Sequence, residues 1–239
     1  MALPKLGIPY YTMRSLSGRE LKYRPFLVKE EKALLMAAES KDSKLIINTI
    51  KNTIESCISK ETPVDVSNLP LFELEWLLLN IRMKSVGESS KFRMKCSKCE
   101  DSVSCNLDLN EVEVENKENG AEKKFKLTNT VGVTVQQPPY KILDNVDITK
   151  LNEVDEKKLF METILDCIVN IFDENQVYTR KDFTREELTN FVDDMTQEQI
   201  TMISDYLQKS PRLSYQVVVN CKKCGNEDRR RIEGLNDFF

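Results

Sequence analysis

The architecture of this chain follows from two short motifs, Cys96-Ser97-Lys98-Cys99 and Cys221-Lys222-Lys223-Cys224. Each motif follows a strand-like run and is itself followed by polar residues. Together they supply four thiolates, which is the complete ligand set of a closed tetrahedral zinc site. The sequence therefore predicts one structural Zn2+ per chain, which joins the middle of the chain to its C-terminal part. The predicted ligands are Cys96, Cys99, Cys221 and Cys224.

The residues around the motifs bear on this prediction. Backbone amides and flanking lysines are placed to hold the thiolates ionised. These lysines are Lys95, Lys98, Lys222 and Lys223. Gly225 follows the second motif, where a zinc knuckle favours a positive φ, whereas Glu100 follows the first, so we expect a less typical turn there. Two alternatives stay open: unrelated reduced thiol pairs, or a redox dithiol, although neither motif begins a helix.

The chain has seven cysteines and no histidine. Cys57 and Cys167 lie within apolar helical patterns, where a free thiol acts as a small hydrophobe. Cys105 follows the first motif, and whether it or Glu100 perturbs the metal shell stays open. Because residues Met1–Lys5 include no apolar segment of a secretory signal, we expect a reducing cytosol and no disulfide framework.

Composition limits the classes of partner. Hydrophobic residues make up 40% of the chain, and no run approaches the roughly 20 apolar residues that span a bilayer, so we expect no membrane association. The formal net charge of −4 gives no overall field that attracts nucleic acid. Basic clusters at Lys91–Lys98 and Lys222–Arg231 flank the cysteines, and Arg229-Arg230-Arg231 can contact phosphate. No aromatic residues alternate with them for base stacking, which argues against nucleic-acid binding.

The N-terminal third is predicted to form a hairpin and three helices, from turn residues, helical composition and apolar spacing. Asp42 is a good cap for the second helix. The third helix begins at Pro70, a residue suited to a first helical turn. It is apolar on most sides, so we expect it to be the central core helix, covered by the other two. The predicted bounds are Tyr11–Ser15 and Glu20–Arg24 for the hairpin, and Lys29–Ser40, Ser43–Ser59 and Pro70–Gly87 for the helices.

From Ser89 the pattern alternates, which predicts strand, knuckle and strand around the first motif. Asn119-Gly120 indicates a hairpin turn within the acidic segment 110–122. Capping boxes at Thr184 and Thr196 begin two late helices. The further predicted elements are strands Lys124–Leu127, Val131–Gln136 and Leu213–Val219, helices Glu156–Asp173, 184–194 and 196–209, and an amphipathic tail Arg230–Phe239. Within this tail, we expect Phe238-Phe239 to dock on this chain or on a partner.

These patterns define an α+β protein. Residues 1–88 are predicted to be an N-terminal part with the hairpin and three helices. Residues 89–239 are predicted to be a small four-cysteine zinc-ribbon β region, formed by 89–140 and 212–239. A second helical block, 141–211, is inserted between the two zinc knuckles.

Catalytic motifs are absent from the sequence. It has no glycine-rich phosphate loop and no nucleophile elbow. The adjacent carboxylates Glu30-Glu31 and Glu186-Glu187 are best interpreted as helix-start charges that the macrodipole favours. We therefore predict that the chain is not an enzyme.

Several segments resemble one known family. The densest similarity lies in residues 1–100, at Leu3-Pro4-Lys5, the run Lys22–Lys32, Leu34-Leu35-Met36-Ala37, Leu69-Pro70 and Lys84-Ser85-Val86-Gly87-Glu88. There the chain is similar to the baseplate hub proteins of T-even-like myophages. Beyond residue 100 the similarity is confined to the cysteine pairs and the overall layout.

The resemblance implies a role in virion assembly without catalytic residues. Such proteins help to build the central hub of the contractile-tail baseplate, and they act through other hub and tail proteins. The resemblance implies synthesis in the cytoplasm of the infected bacterium, and leaves open whether the chain stays in the tail baseplate of the virion. The alternative hypothesis is a phage zinc-ribbon regulator of transcription or replication, whose DNA binding would fall steeply with salt.

Overall fold

A computed structural model describes residues 6–40, 42–145 and 153–233. The protein is α+β, as predicted, with six helices and small antiparallel sheets in these ranges. The helices are α1 (Val28–Ser40), α2 (Ser43–Cys57), α3 (Leu71–Ser85), α4 (Glu153–Cys167), α5 (Arg185–Asp193) and α6 (Gln197–Gln208). The strands are β1 (Tyr11–Arg14), β2 (Glu20–Tyr23), β3 (Ser89–Lys95), β4 (Ser102–Asp108), β5 (Glu113–Glu115), β6 (Lys123–Lys126), β7 (Gly132–Val135), β8 (Ile168–Phe172), β9 (Val177–Thr179), β10 (Arg212–Asn220) and β11 (Glu227–Glu233).

The N-terminal core lies between the β1–β2 hairpin and helices α2 and α3. Strand β2 ends before Pro25, which has no N–H to donate to a ladder. The Asp42 side chain accepts bonds from the N–H groups of Lys44 and Leu45, and so begins α2 as predicted. The predicted hairpin and three helices are therefore confirmed. The core consists of Met13, Leu21, Tyr23, Ile54, Cys57, Val66, Leu74, Leu77, Leu78, Ile81 and Tyr140.

Helix α3 is shared between two cores, which corrects the expectation that α1 and α2 cover it. Leu74 and Ile81 pack into the N-terminal core. On another side of the helix, Leu79 is buried against strands β4 and β10, with Trp76 and Met83 beside it. A helix that is apolar on most sides has to bury more than one face, and here the second face supports the cysteine-bearing strands.

The ribbon consists of two antiparallel hairpins, β3–β4 and β10–β11, each of which carries one cysteine motif at its tip. The predicted succession of strand, knuckle and strand is confirmed. Strand β5 pairs with the other edge of β10, which gives the order β11-β10-β5. The ribbon core consists of Leu79, Cys105, Leu107, Leu109, Val112, Leu213, Val217, Val219 and Ile232.

A third core lies between helices α4–α6 and the four-stranded sheet β6-β7-β8-β9. The predicted capping boxes of Thr184 and Thr196 are both present, with Glu187 and Gln199 as the reciprocal partners. Gly132 on β7 allows a close approach of Phe172 on β8, since a Cβ at residue 132 would lie 2.3 Å from Phe172 Cζ.

Three predicted elements are corrected. The predicted helix Glu156–Asp173 ends at Cys167, and Ile168–Phe172 is strand β8, because β-branched and aromatic residues pair well between β7 and β9. Asn119-Gly120 lies in a 3-10 turn that joins β5 to β6, which belong to different sheets, and so it forms no hairpin. The predicted tail begins inside β11, and Phe238-Phe239 lie outside the described residues.

No helix in the described ranges is both long enough and apolar enough to cross a membrane.

Candidate metal centre

Four sulfur atoms meet at the tips of the two ribbon hairpins. Cys96 Sγ lies 3.6 Å from Cys224 Sγ, and Cys99 Sγ lies 3.5 Å from Cys221 Sγ. All four sulfurs lie within 4.8 Å of one another. Sulfurs held about 2.3 Å from one tetrahedral ion are about 3.8 Å apart. The cluster therefore has the size and the donor set of a four-cysteine metal site, and it can bind a metal ion.

The first motif forms a tight turn through two backbone hydrogen bonds. The N–H of Cys96 donates to the carbonyl of Asp101 at 2.9 Å, and the N–H of Glu100 donates to the carbonyl of Cys96 at 3.0 Å. These bonds return the chain from β3 into β4. Glu100 has a φ of 57°, in the left-handed region.

The second motif repeats this geometry. The N–H of Cys221 donates to the carbonyl of Asn226 at 2.9 Å, and the N–H of Gly225 donates to the carbonyl of Cys221 at 2.9 Å. Gly225 has a φ of 69°, which confirms the positive φ predicted there. The expectation of a different first turn is wrong, since Glu100 has the same left-handed backbone. Each knuckle thus presents its two sulfurs in the same way.

The pKa values of Cys96 and Cys99 are shifted in opposite directions. The backbone N–H groups of Cys99 and Lys98 lower the pKa of Cys96 to about 6, and the Lys98 N–H lies 3.4 Å from Cys96 Sγ. The N–H of Asp101 acts in the same direction on Cys99, but burial and the neighbouring thiols raise the pKa of Cys99 to about 12. One thiolate forms readily and then opposes a second nearby. A bound cation would remove this conflict.

Polar contacts join the two knuckles beside the sulfurs. Asn226 Nδ2 donates to Ser97 Oγ at 3.2 Å, and Lys223 Nζ lies 3.6 Å from Asp101 Oδ1. Of the flanking lysines, Lys98 contacts Cys96 Sγ, and it does so through its backbone N–H. The side chains of Lys95, Lys98 and Lys222 are exposed.

The remaining cysteines lie away from the cluster. Cys105 is buried in the ribbon core, and burial raises the pKa of its thiol. Cys57 and Cys167 are fully buried, and burial raises the pKa of each to about 12. All three act as small hydrophobic residues, and among the described residues only the four predicted cysteines form a cluster that can hold a metal.

A buried ion pair in the N-terminal part was missed by sequence reasoning. Arg24 and Glu30 are each 8% exposed, and Arg24 donates two hydrogen bonds to Glu30, at 2.9 and 2.7 Å. The N–H of Leu27 also donates to Glu30 at 2.6 Å. The sequence alone indicates only a helix-start charge at Glu30. Its position three residues after Leu27, at the start of α1, is typical of a carboxylate that caps the helix N-terminus. Its pairing with Arg24 depends on tertiary packing.

A second buried carboxylate connects the hairpin to α3. Glu73 is 1% exposed and accepts hydrogen bonds from the backbone N–H groups of Leu16 and Ser17 in the β1–β2 turn. On the same helix, Trp76 Nε1 donates to the carbonyl of Arg14 at 3.1 Å. The sequence contains no signal for these contacts, because the partners are backbone groups more than fifty residues away.

Comparison with known families gives one match. The family described as T4 bacteriophage base plate protein matches residues 8–239. No curated protein and no solved structure matches the chain. Because the family match spans nearly the whole chain, both knuckles and all three cores fall within it. The chain belongs to this family of phage baseplate proteins, as the resemblance in its first hundred residues predicted.

Proposed function

We propose that this protein is a structural or assembly component of the central hub of a contractile-tail phage baseplate, and that it carries one structural zinc ion. The family match over residues 8–239 is the observation that supports the baseplate role. The hub assignment rests on the resemblance of residues 1–100 to hub proteins. The protein then acts by docking on other hub and tail proteins, and converts no substrate.

The donor set supports zinc as the metal. Four cysteines in a tetrahedral arrangement suit zinc or an iron–sulfur centre. Zinc needs no redox partner, and two knuckles that close on one ion are typical of structural zinc sites. Cys96 and Cys221 are 2% and 3% exposed, so half of the ligands would be shielded from solvent.

The metal would stabilise the contact between the two ribbon hairpins. Hairpins β3–β4 and β10–β11 are joined by the ribbon core and, at their tips, by polar contacts that include Asn226 with Ser97 and Lys223 with Asp101. Metal binding contributes folding free energy on the order of 10 kcal/mol in isolated zinc peptides at neutral pH. The ion would therefore fix the relative position of the two hairpins. We also propose the division into residues 1–88 and 89–239, with the block 141–211 inserted between the knuckles. Strands β6 and β7 precede this block in the sequence but pack with it, in the sheet β6-β7-β8-β9.

Two experiments test these proposals separately. Elemental analysis of the purified full chain should find about one zinc per chain. A chain that contains neither zinc nor iron would overturn the proposed metal site. We also propose that assembly takes place in the bacterial cytoplasm. A tagged chain expressed in infected cells should then co-purify with baseplate or tail proteins. Recovery of polymerase subunits alone would instead support the phage regulator of transcription or replication.

A further inference from the structure

The exposed face of strand β3 carries three cations in a row. Lys91, Arg93 and Lys95 are exposed, whereas Phe92 and Met94 between them face the ribbon core. The side chains opposite the cations on β4 are neutral: Asn106, Ser104 and Ser102. In the part of the chain that the structure describes, none of the three cations forms an ion pair or a side-chain hydrogen bond. The face therefore presents uncompensated positive charge.

The same three residues present the free backbone edge of β3. Strand β3 pairs with β4 alone, in a two-stranded sheet. At its ends, Cys96 N–H donates to Asp101 and Leu109 N–H donates to Glu88. Because bonded and outward-facing positions alternate along an antiparallel strand, the even-numbered residues of β3 bond to β4. The odd-numbered residues direct their N–H and C=O groups outward, and no described backbone group pairs with them.

We propose that the edge of β3 binds an extended segment of a partner protein in which acidic and apolar residues alternate. The segment would add as a further strand, its backbone bonding to Lys91, Arg93 and Lys95. Its carboxylates would lie opposite these cations, and its apolar side chains beside Phe92 and Met94. This inference rests on the proposed function, because it specifies the chemistry of one docking partner of a baseplate protein.

The charges on β3 also exclude alternative strands. A second copy of β3 would place like charges opposite one another, which disfavours edge-to-edge pairing. Strand β11, another edge strand of the ribbon, differs. Its odd-numbered positions carry both signs, and Arg231 on it is paired with Glu233 at 2.7 Å and with Glu115. A uniformly cationic edge is thus a property of β3 and not of both hairpins.

A partner protein fits this edge better than nucleic acid does. The exposed face of β3–β4 has no aromatic side chain on which a base can stack. The formal charge of the whole chain is −4, so a long polyanion meets repulsion beyond the edge. A short acidic segment of a protein meets only the local positive charge.

The acidic segment of this chain has the required alternation but is already engaged. Tyr215 donates to Glu111 at 3.1 Å, and Ser214 donates to Glu115 at 3.0 Å. Arg231 also pairs with Glu115. The occupant of the β3 edge is therefore a segment of another protein, and the sequence Glu111–Glu115 supplies the design of a probe.

The test uses the purified full chain and a synthetic peptide, Ac-Glu-Val-Glu-Val-Glu-Val-Glu-amide, with amide exchange read by NMR. The peptide should slow exchange at the N–H groups of Lys91, Arg93 and Lys95, and leave those of Phe92 and Met94 unchanged. A peptide with Lys for Glu tests the charge. A peptide of the same sequence with N-methylated backbone nitrogens tests backbone pairing, because it keeps every side chain but has no N–H to donate. Both control peptides should give no protection.

Matched arginine variants locate the site. Arg93→Glu should weaken binding of the valine peptide by about ten-fold, since it reverses the central charge. Arg229→Glu, on the other ribbon edge, should leave binding unchanged. Unchanged metal content and circular dichroism would show that both variants fold.

Three results would overturn strand addition: no protection by the valine peptide, equal binding of the N-methylated peptide, or protection of the same amides by single-stranded DNA at the same concentration. Concentration-dependent dimerisation that Glu113→Lys abolishes would make a second copy the occupant, and would overturn it as well. If these failures occurred while baseplate proteins still co-purified with the wild-type chain, the proposed function would stand. Loss of that co-purification would count against the proposed function itself.

Discussion

Glu100 and Gly225 occupy the same position in the two knuckles, and both have left-handed backbone, with φ angles of 57° and 69°. A residue with a Cβ pays about 1–2 kcal/mol for this conformation, whereas glycine adopts it freely. The two halves of one candidate metal site therefore differ in local backbone energy, although the two backbone–backbone hydrogen bonds that close each turn correspond.

This difference gives the first prediction. Gly225→Ala should lower the free energy of unfolding by about 1 kcal/mol, and Glu100→Gly should raise it by up to about 1 kcal/mol, less the entropy that glycine adds to the unfolded chain. Urea unfolding of the chain as purified measures both. Lys98→Gly is the control. Because Lys98 has no left-handed φ, glycine there should only lower the free energy of unfolding. If Glu100→Gly destabilises the protein as much as Lys98→Gly does, Glu100 does not have the left-handed backbone described above.

The second prediction concerns the sulfur cluster. Cys221→Ser should abolish metal binding, because three thiolates and a hydroxyl do not complete the set of four cysteine ligands. Limited proteolysis should then show new cleavage near the C-terminal hairpin. Cys105→Ala is the matched control, since Cys105 lies on β4 in the same ribbon but outside the cluster. Equal metal content in the two variants would contradict the assignment.

The third prediction concerns the buried ion pair. Glu30→Gln should destabilise the protein by about 3 kcal/mol, because it leaves Arg24 buried without its charged partner. Replacing both residues with methionine should recover much of this loss, since well-packed apolar residues can substitute for a buried pair. Thermal unfolding measures both variants. Glu31→Gln, one residue away, should change stability by less than about 0.5 kcal/mol.

The same pair predicts a pH dependence. The side chain of Arg24 holds the pKa of Glu30 below its ordinary value of 4.5. A depressed folded-state pKa stabilises the protein above the unfolded-state pKa, and this contribution is lost as the pH falls through the folded value. Unfolding measured from pH 6 downward should therefore show a smaller acid-induced loss of stability in Glu30→Gln than in the wild type. Identical pH profiles would show that Glu30 does not titrate with folding.

The fourth prediction concerns the four-stranded sheet. Gly132→Ala should destabilise the protein by about 1–3 kcal/mol, because the added Cβ would lie 2.3 Å from Phe172 Cζ and 2.5 Å from the carbonyl of Phe125. Combining it with Phe172→Leu should relieve part of the loss. Gly7→Ala is the control, since a Cβ there meets no atom within 4 Å. Equal stability of the two alanine variants would place β7 and β8 further apart.

Local signals predicted much of the secondary structure. The capping boxes at Thr184 and Thr196, the cap at Asp42 and the alternation around the first cysteine motif all depend on residues within a few positions of one another. The segment Ile168–Phe172 was misassigned because a short apolar run fits a helix and a buried strand equally well. Its pairing with β7 and β9 decided in favour of the strand.

The sequence by itself identified the two pairs of cysteines that form the candidate metal site, because the spacing within each Cys-x-x-Cys motif is a local property that places two sulfurs on one turn. Only the tertiary structure decided that the two turns face one another, that α3 supports two cores, and that Arg24 meets Glu30. These contacts depend on how apolar faces that are distant in sequence pack, and on which polar groups are buried with them. A pattern within a few neighbouring residues does not predict such contacts.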